Sequence, residues 1–145
     1  MELHIAPPTA GDRADWERLA RGYKEFYKTI VPDSGYAATW DRLLREKEVF
    51  ALGAWSDGKL VGIAHSLFHT TIWTPTTCYL QDLFVDPSAR GQGVARALIE
   101  RVATIARERG AQRLYWHTQE HNATARALYD KLAKFNGFVR YDFAL

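Results

Sequence analysis

The segment LFVDPSARGQGVARAL, residues 83–98, runs from a strand pattern through a short loop with two glycines into a helix pattern. At such a connection the N–H groups of the loop and the positive end of the helix dipole point at one place, where an anion is stabilised. Small residues let the anion approach the main chain, and basic residues add positive charge. The small residues are Gly91, Gly93 and Ala95, and the basic residues are Arg90 and Arg96. The segment therefore predicts a binding site for a pyrophosphate.

Two other phosphate-binding motifs do not fit this stretch. The dinucleotide fingerprint G-x-G-x-x-G requires glycine or alanine where Arg96 stands. A Walker A loop requires Gly-Lys followed by Ser or Thr, which the sequence lacks. A nucleotide-binding protein is therefore disfavoured.

Three motifs in sequence order resemble those of one family. RGQGVA at residues 90–95 resembles the R/Q-x-x-G-x-G/A signature of the GNAT superfamily of acetyl-CoA-dependent N-acetyltransferases. YLQDLFV at 79–85 resembles that family's fourth strand, and NATARALY at 122–129 resembles its N-x-x-A-x-x-L-Y helix. WHTQEHN at 116–122 and the lengthened 131–136 segment are similar to the small histone, polyamine and amino-acid acetyltransferases. Most of the superfamily lacks the extra residues of that segment.

The resemblance implies that acetyl-CoA is the cosubstrate. Loop N–H groups would bind its pyrophosphate, and the pantetheine arm would lie along residues 83–85 like an added strand. The N–H near Leu83 would polarise the thioester carbonyl and stabilise the tetrahedral oxyanion. Asn122 would bond the pantetheine arm or a nearby backbone group, and it is equally suited to cap the following helix. The implied cofactor-binding residues are Leu83, Phe84, Val85, Arg90, Gly91, Gln92, Gly93, Val94, Ala95, Arg96 and Asn122.

The same resemblance places Tyr129 near the sulfur, where a phenol can protonate the leaving thiolate. From spacing alone, Tyr129 among apolar neighbours also fits a core tyrosine. The general base does not follow directly from this resemblance. A primary amine is only about one part in a thousand neutral at pH 7, and Gln81 stands where polyamine-acetylating relatives carry Glu. The candidates are a water chain, Asp82, Glu120 and His117. We rank a water chain first, then Asp82, which a strand bulge would have to re-aim, and then Glu120.

The function expected from the resemblance is direct acetyl transfer from acetyl-CoA to a primary amine of a small molecule or peptide, in a ternary complex. The alternative is a catalytically weak CoA-binding sensor or interaction module. Gln81 favours that alternative, whereas the retention of Tyr129 and Asn122 argues against it.

Composition sets outer limits on these hypotheses. The chain has 145 residues, a net charge of +2 and 13% aromatic residues. These values favour one domain, residues 1–145, and give no indication of a nucleic-acid partner. No apolar run approaches the roughly 20 residues that span a bilayer, and the start of the chain lacks a secretory pattern. We therefore expect a cytoplasmic protein with no membrane partner. A homodimer is a further expectation, since GNAT relatives of this size are often dimers.

Cysteine and histidine content argues against disulfide or metal chemistry. The single cysteine, Cys78, permits no intramolecular disulfide. The pairs His65/His69 and His117/His121 have helical metal-ligand spacing but fall on predicted strand or loop, where four residues span roughly 13 Å. We expect no metal site.

Periodicity predicts the order strand, helix, helix, three strands, helix, strand, helix, strand. Pro32 and Gly35 are expected to separate the first two helices, and Asp57-Gly58 to form a type I′ hairpin turn. The expected fold is α/β of the GNAT type. It has a mixed, mostly antiparallel twisted sheet of six to seven strands, about four helices and a V-shaped cleft between central strands. The predicted strands are 3–6, 49–55, 60–68, 76–85, 114–117 and 138–143, and the predicted helices are 12–30, a shorter one around 40–44, 94–106 and 124–132.

Overall fold

The computed structural model of the protein describes residues 2–45 and 47–145. The helices and strands follow the predicted order as far as the last helix, so the α/β class is confirmed. The elements are β1 (Leu3–Ala6), α1 (Arg13–Phe26), α2 (Asp33–Arg45), β2 (Val49–Ser56), β3 (Lys59–His69), β4 (Thr77–Val85), α3 (Val94–Glu108), β5 (Leu114–Tyr115) and α4 (Ala123–Leu132).

The strands form one sheet in the order β1-β2-β3-β4-β5. The strands from β1 to β4 pair antiparallel with one another, and β5 pairs parallel with β4. The turn between β2 and β3 has φ of 51° at Asp57 and 78° at Gly58. Positive φ at both central residues is the type I′ signature that the Asp-Gly pair predicted.

Apolar side chains form a core on each face of the sheet. On one face α1 and α2 bury Trp16, Leu19 and Trp40 against Ile63 and Phe84. On the other face α3 packs its apolar stripe, including Leu98 and Val102, against the strands. Both of these α3 side chains are 0% exposed. Burying each one stabilises the fold by about 1.5–3 kcal/mol.

Both early helices differ from their predicted bounds. α1 ends at Phe26 because Lys28 adopts φ of 55° and the N–H groups of Lys28 and Thr29 bond back to Glu25 and Lys24. This Schellman-type closure ends the helix although the apolar spacing continues to Ile30. α2 is longer than predicted, because it starts directly after Pro32 and includes Gly35. The prediction that Gly35 breaks the helix was wrong, since one glycine costs a helix only about 1 kcal/mol.

The predicted last strand, 138–143, does not join the sheet, so the described sheet has five strands rather than six to seven. We refer to residues 134–145, which follow α4, as the C-terminal arm. Its alternating pattern supplies strand propensity, but no strand in the described chain pairs with it. Its large apolar side chains are left exposed, including Phe138 (83%), Tyr141 (90%) and Phe143 (90%).

The sheet opens between β4 and β5. These strands pair only at Cys78 with Leu114 and at Tyr79 with Tyr115. From Leu80 to Val85 the edge of β4 on that side has no strand partner in the described chain. The predicted split in the sheet is therefore present, and it lies between β4 and β5, the last strand of the described sheet. None of the helices in the described ranges combines the length and apolar character needed to cross a membrane.

Candidate functional site

A β-bulge in β4 determines which way Asp82 faces. In the β3–β4 register, His65 is opposite Asp82 and Ser66 is opposite Leu80, so Gln81 is the extra residue. An extra residue reverses the alternation of side chains beyond it. Asp82 is thereby turned toward the face covered by α1. This is the re-aiming that Asp82 required as a candidate, and the spacing in the sequence did not reveal it.

Asp82 ends a chain of buried hydrogen bonds. Its Oδ2 lies 2.9 Å from Nδ1 of His65, and Nε2 of His65 lies 2.9 Å from Nε1 of Trp16. An indole N–H can only donate, so Nε2 accepts and Nδ1 carries the proton that His65 donates to Asp82. Burial acts to raise the pKa of Asp82, but hydrogen bonds from His65 and Tyr23 outweigh it and the pKa is lowered. Asp82 is therefore ionised at neutral pH.

Three tyrosines lie around this carboxylate: Tyr23 on α1, Tyr27 directly after α1, and Tyr79 on β4. Burial raises the pKa of each hydroxyl, and the negative charge of Asp82 raises it further. All three are neutral at pH 7 and can donate hydrogen bonds. The result is a single ionised carboxylate bordered by aromatic rings and hydroxyl groups.

Aromatic side chains continue across the split to β5. The Tyr79 and Tyr115 rings stack with centroids 4.8 Å apart. His117 Nδ1 lies 3.2 Å from the Tyr79 hydroxyl, and His69 Nε2 lies 2.8 Å from the Tyr115 hydroxyl. His65 and His69 thus bond to different partners, and the described residues contain no group of three potential ligands that could hold a metal ion.

Tyr129 is half-buried on α4. Its ring meets that of Trp116 edge-on, with centroids 5.4 Å apart. Burial raises the pKa of its hydroxyl, and the nearby Tyr27 contributes in the same direction. The phenol therefore carries its proton at neutral pH. Since Tyr27 also lies near Asp82, the end of α1 lies close to both Asp82 and Tyr129.

Glu120 lies on the exposed connection between β5 and α4. Its backbone carbonyl accepts a hydrogen bond of 2.8 Å from Arg126. No ion pair or hydrogen bond of its carboxylate is found within the described chain. Among the described residues, no hydrogen bond or ion pair therefore joins Glu120 to Asp82 or Tyr129.

The glycine loop presents unused donors. Gly91 and Gly93 have φ of 76° and 80°, conformations that a glycine adopts without strain, and a Cβ on either would meet open space. None of the N–H groups of residues 91–96 donates to another described residue. Arg90 bonds the Val85 carbonyl at 3.3 Å, and Arg96 pairs with Glu100 at 2.9 Å. The Arg96 charge is thus partly neutralised by its own helix.

The open edge of β4 leads to this loop. Asp86 donates its N–H to Val61 on β3. Because alternate residues in an antiparallel pair direct their N–H groups to opposite sides, Leu83 and Val85 direct theirs to the open edge. At the far side of the split, Asn122 accepts a hydrogen bond of 3.2 Å from the Ala125 N–H, so its side chain caps α4. The capping alternative for Asn122 is observed.

Sequence reasoning did not single out Trp16, His65, Tyr23 or Tyr27 as a group. His65 carried a weak signal, because it is the one ionisable residue in the apolar run 60–68. The other three fit the apolar stripe of the predicted first helix, which gives no sign that they lie near strand residues distant in sequence. In the structure Trp16 bonds His65, and Tyr23 and Tyr27 lie near Asp82.

Comparison with known proteins bears on this geometry. The profile of the acetyltransferase (GNAT) family matches residues 16–135. The D-amino-acid N-acetyltransferase of Saccharomyces cerevisiae is 36% identical over 135 residues, which cover 90% of this chain and 83% of that protein. The thialysine N-epsilon-acetyltransferase of Bos taurus is 33% identical over 119 residues, covering 82% and 70%.

A crystal structure of the aminoglycoside N-acetyltransferase AAC(6′)-Iy, in complex with a CoA bisubstrate analogue, has a TM-score of 0.89. It is 19% identical, and the match covers 100% of this chain and 99% of that one. At this identity the likeness concerns the fold. It extends over the whole sheet and the helices described above.

Proposed function

The chain belongs to the acetyltransferase (GNAT) family and is an N-acetyltransferase, and from this premise we propose that it transfers an acetyl group from acetyl-CoA directly to a primary amine. The acceptor is a small molecule or a peptide, and transfer occurs in a ternary complex without a covalent intermediate. The observation that carries this proposal is the unpaired N–H row of residues 91–96 at the end of the open β4 edge.

The loop fits the pyrophosphate of acetyl-CoA. α3 begins at Gly93 without a side-chain cap, so its first N–H groups and the helix dipole are available to an anion. Hydrogen bonds to a charged group contribute roughly 1.5–3 kcal/mol each. The free N–H groups of Leu83 and Val85 fit the amides of a pantetheine arm running along the edge. Bound there, acetyl-CoA supplies the activated acetyl thioester.

On the acceptor side, Asp82 attracts a cationic amine to the tyrosine-lined face of β4. Its lowered pKa makes Asp82 a poor proton acceptor at neutral pH, because a general base works best with a pKa near the operating pH. This supports the water chain as the first candidate for removing the amine proton, with Asp82 holding the amine. Exposed Glu120 stays the third candidate base. The proposal places Tyr129 as the acid that protonates the leaving thiolate, which its protonated state supports.

Tyr129→Phe tests the acid role. The variant keeps the ring packed on Trp116 and removes only the hydroxyl, so we expect kcat to fall about 10²-fold or more with little change in acetyl-CoA affinity. Tyr36→Phe is the matched control, because Tyr36 lies in the α1–α2 core away from the split. Unchanged turnover of Tyr129→Phe across pH would show that Tyr129 is not the acid.

An acceptor screen tests the function as a whole. The relatives are named for D-amino acids and thialysine, so the screen follows CoA release over D- and L-amino acids, polyamines, lysine peptides and aminoglycosides. We expect turnover with an acceptor that carries a positive charge, because Asp82 faces it. Binding of acetyl-CoA by calorimetry without turnover of any acceptor would instead support the sensor alternative. No binding at all would contradict both.

We also propose that the chain works as a single domain in the cytoplasm and forms a homodimer. β5 is the last strand of the described sheet, and its outer edge carries no partner. The C-terminal arm has a strand pattern and exposed apolar side chains, which fit that edge on a second copy. Light scattering should report a dimer that Tyr141→Ser with Phe143→Ser dissociates. Trp73→Ser is the control, since Trp73 is 92% exposed but lies outside the arm. A monomeric parent protein would contradict the proposal.

A further inference from the structure

The buried chain Trp16–His65–Asp82 connects the α1 core to the proposed acceptor site. Trp16 is 1% exposed, and the side chains of His65 and Asp82 are 11% and 18% exposed. Trp16 and His65 are 49 positions apart in the sequence, and His65 and Asp82 are 17 positions apart. The chain begins at an apolar helix face and ends at the carboxylate beside the tyrosines. Water therefore has little access to its middle member.

Both ring nitrogens of His65 are used in this chain. Nε2 accepts from the Trp16 N–H at 2.9 Å, and Nδ1 donates to Asp82 at 2.9 Å. To become an imidazolium, His65 would need a proton on Nε2, where it would meet the hydrogen of the indole N–H. The Trp16 hydrogen bond therefore opposes protonation of His65. The two-residue unit His65–Asp82 keeps a net charge of −1.

Without the Trp16 donor the same unit can hold one more proton. His65 would then form an ion pair with Asp82, and the net charge at the acceptor site would be zero. A cationic amine is attracted by the first arrangement and not by the second. The charge of the site thus depends on an indole whose N–H bonds His65 and not the carboxylate itself.

We propose that Trp16 and His65 are positioning residues that hold the acceptor-facing Asp82 as an uncompensated anion. Trp16 caps Nε2 of His65, His65 stays neutral with its proton on Nδ1, and Asp82 is oriented and left with its full charge. The consequence for catalysis rests on the proposed function. The position of the proton on the His65 ring does not depend on that function.

Other groups near Asp82 do not determine the net charge of the His65–Asp82 pair in this way. The Tyr23 hydroxyl lies near Asp82, and Tyr23, Tyr27 and Tyr79 are neutral hydroxyls because burial and the charge of Asp82 raise the pKa of each above its ordinary value. Lys24 on α1 is the lysine whose charge acts on Asp82. From β3, His65 is the group in direct contact with Asp82, whereas His117 after β5 bonds the Tyr79 hydroxyl instead.

The first experiment reads the tautomer directly in the free protein. Long-range ¹H–¹⁵N spectra of histidine-labelled protein, assigned with His65→Gln, should show Nδ1 protonated and Nε2 bare from pH 5.5 to pH 8. In Trp16→Phe, Nε2 should take up a proton within that window. Trp40→Phe is the matched control, because Trp40 is buried against Trp16 with ring centroids 5.0 Å apart but does not bond His65. It should behave like the parent protein.

The second experiment follows activity. For a cationic acceptor, Trp16→Phe should lose about tenfold in kcat/KM on going from pH 8 to pH 5.5, beyond any change in the parent, while KM for acetyl-CoA stays constant. Adding His65→Gln should abolish this extra pH dependence, because the glutamine amide can donate to Asp82 and accept a hydrogen bond but cannot take a proton. Should Trp16→Phe fail to fold, His65→Gln in the parent must leave the pH profile unchanged for the proposal to stand.

Two results would overturn the proposal. One is a parent protein whose His65 carries its proton on Nε2, or becomes doubly protonated near neutral pH. The other is a Trp16→Phe spectrum identical to that of the parent over the whole range. Because the spectra need no substrate, a protein with the expected tautomer but no acetyltransferase activity would refute only the proposed function.

Discussion

Replacing Gly93 by alanine separates the cofactor role of the glycine loop from its structural role. Gly93 is the N-cap of α3 and has φ of 80°, and an added Cβ would meet no atom within 4 Å. Gly110, just beyond the other end of the helix, also has positive φ, 75°, and an added Cβ there would likewise meet no atom within 4 Å. Gly110→Ala is therefore a matched control with the same backbone strain and no proposed ligand.

The magnitudes follow from this geometry. An alanine held at positive φ costs each variant about 1 kcal/mol of unfolding free energy, and a shift of about 3 °C in Tm for a chain of this length. Gly93→Ala also places a methyl group beside N–H groups that none of the described residues engages. Loss of one charge-assisted hydrogen bond to the pyrophosphate, about 1.5–3 kcal/mol, weakens acetyl-CoA binding by about 10- to 100-fold.

Isothermal titration with acetyl-CoA, alongside thermal unfolding, checks both numbers. We expect equal losses of Tm in the two variants and a weaker Kd only in Gly93→Ala. If both variants bind acetyl-CoA as the parent does, the anion is not held at the start of α3. If both lose binding equally, the effect comes from backbone strain and not from contact.

Three further measurements address the rest of the molecule. Burial raises the pKa of Cys78 to about 11, so a disulfide reagent at pH 8 should leave it unmodified in the native protein and label it fully in urea. Hydrogen bonds from Ser88, against the opposing effect of burial, lower the pKa of Asp86 to about 2. Its contribution to stability is complete above about pH 4 and disappears as the pH falls toward 2. Asp86→Asn should therefore cost roughly 1 kcal/mol at pH 7 and flatten the acid limb of the stability curve; an unchanged limb would exclude Asp86 as its source. Leu98→Ala, at a fully buried position, should cost about 2–5 kcal/mol in urea denaturation, and a loss under 1 kcal/mol would mean that α3 is not packed as described.

The fold was largely predictable where neighbouring residues determine the structure. The Asp57-Gly58 turn and the stripe of α3 depend on local backbone preference and periodicity, and both were predicted correctly. The end of α1 was missed because an αL residue at Lys28 closes the helix although the side-chain spacing continues. The C-terminal arm was wrongly predicted to be a strand of the sheet, because its local pattern was given too much weight. Its alternation predicts a strand, but a strand also needs an edge to pair with, and the sequence pattern does not specify one.

The candidate site was predictable only in part. The loop at Gly91 and Gly93 is a continuous motif, and the structure shows the open donors that the motif implies. The surroundings of Asp82 come from three elements that are distant in sequence. Both the bulge at Gln81 and the hydrogen bond from Trp16 to His65 depend on strand register, and no local pattern reports that register.

The bulge at Gln81 also affects how related sequences should be aligned with this one. Before the bulge the even-numbered residues Cys78 and Leu80 face the α3 core. After it the odd-numbered residues Leu83 and Val85 face the same core. A related strand without the bulge would lack only the extra residue, because side chains would then alternate regularly from Leu80 to Asp82 and those beyond would keep their present faces. The one-residue gap of such a sequence therefore belongs opposite Gln81. An alignment that shifts this gap by one column would assign the carboxylate of Asp82 to the wrong residue.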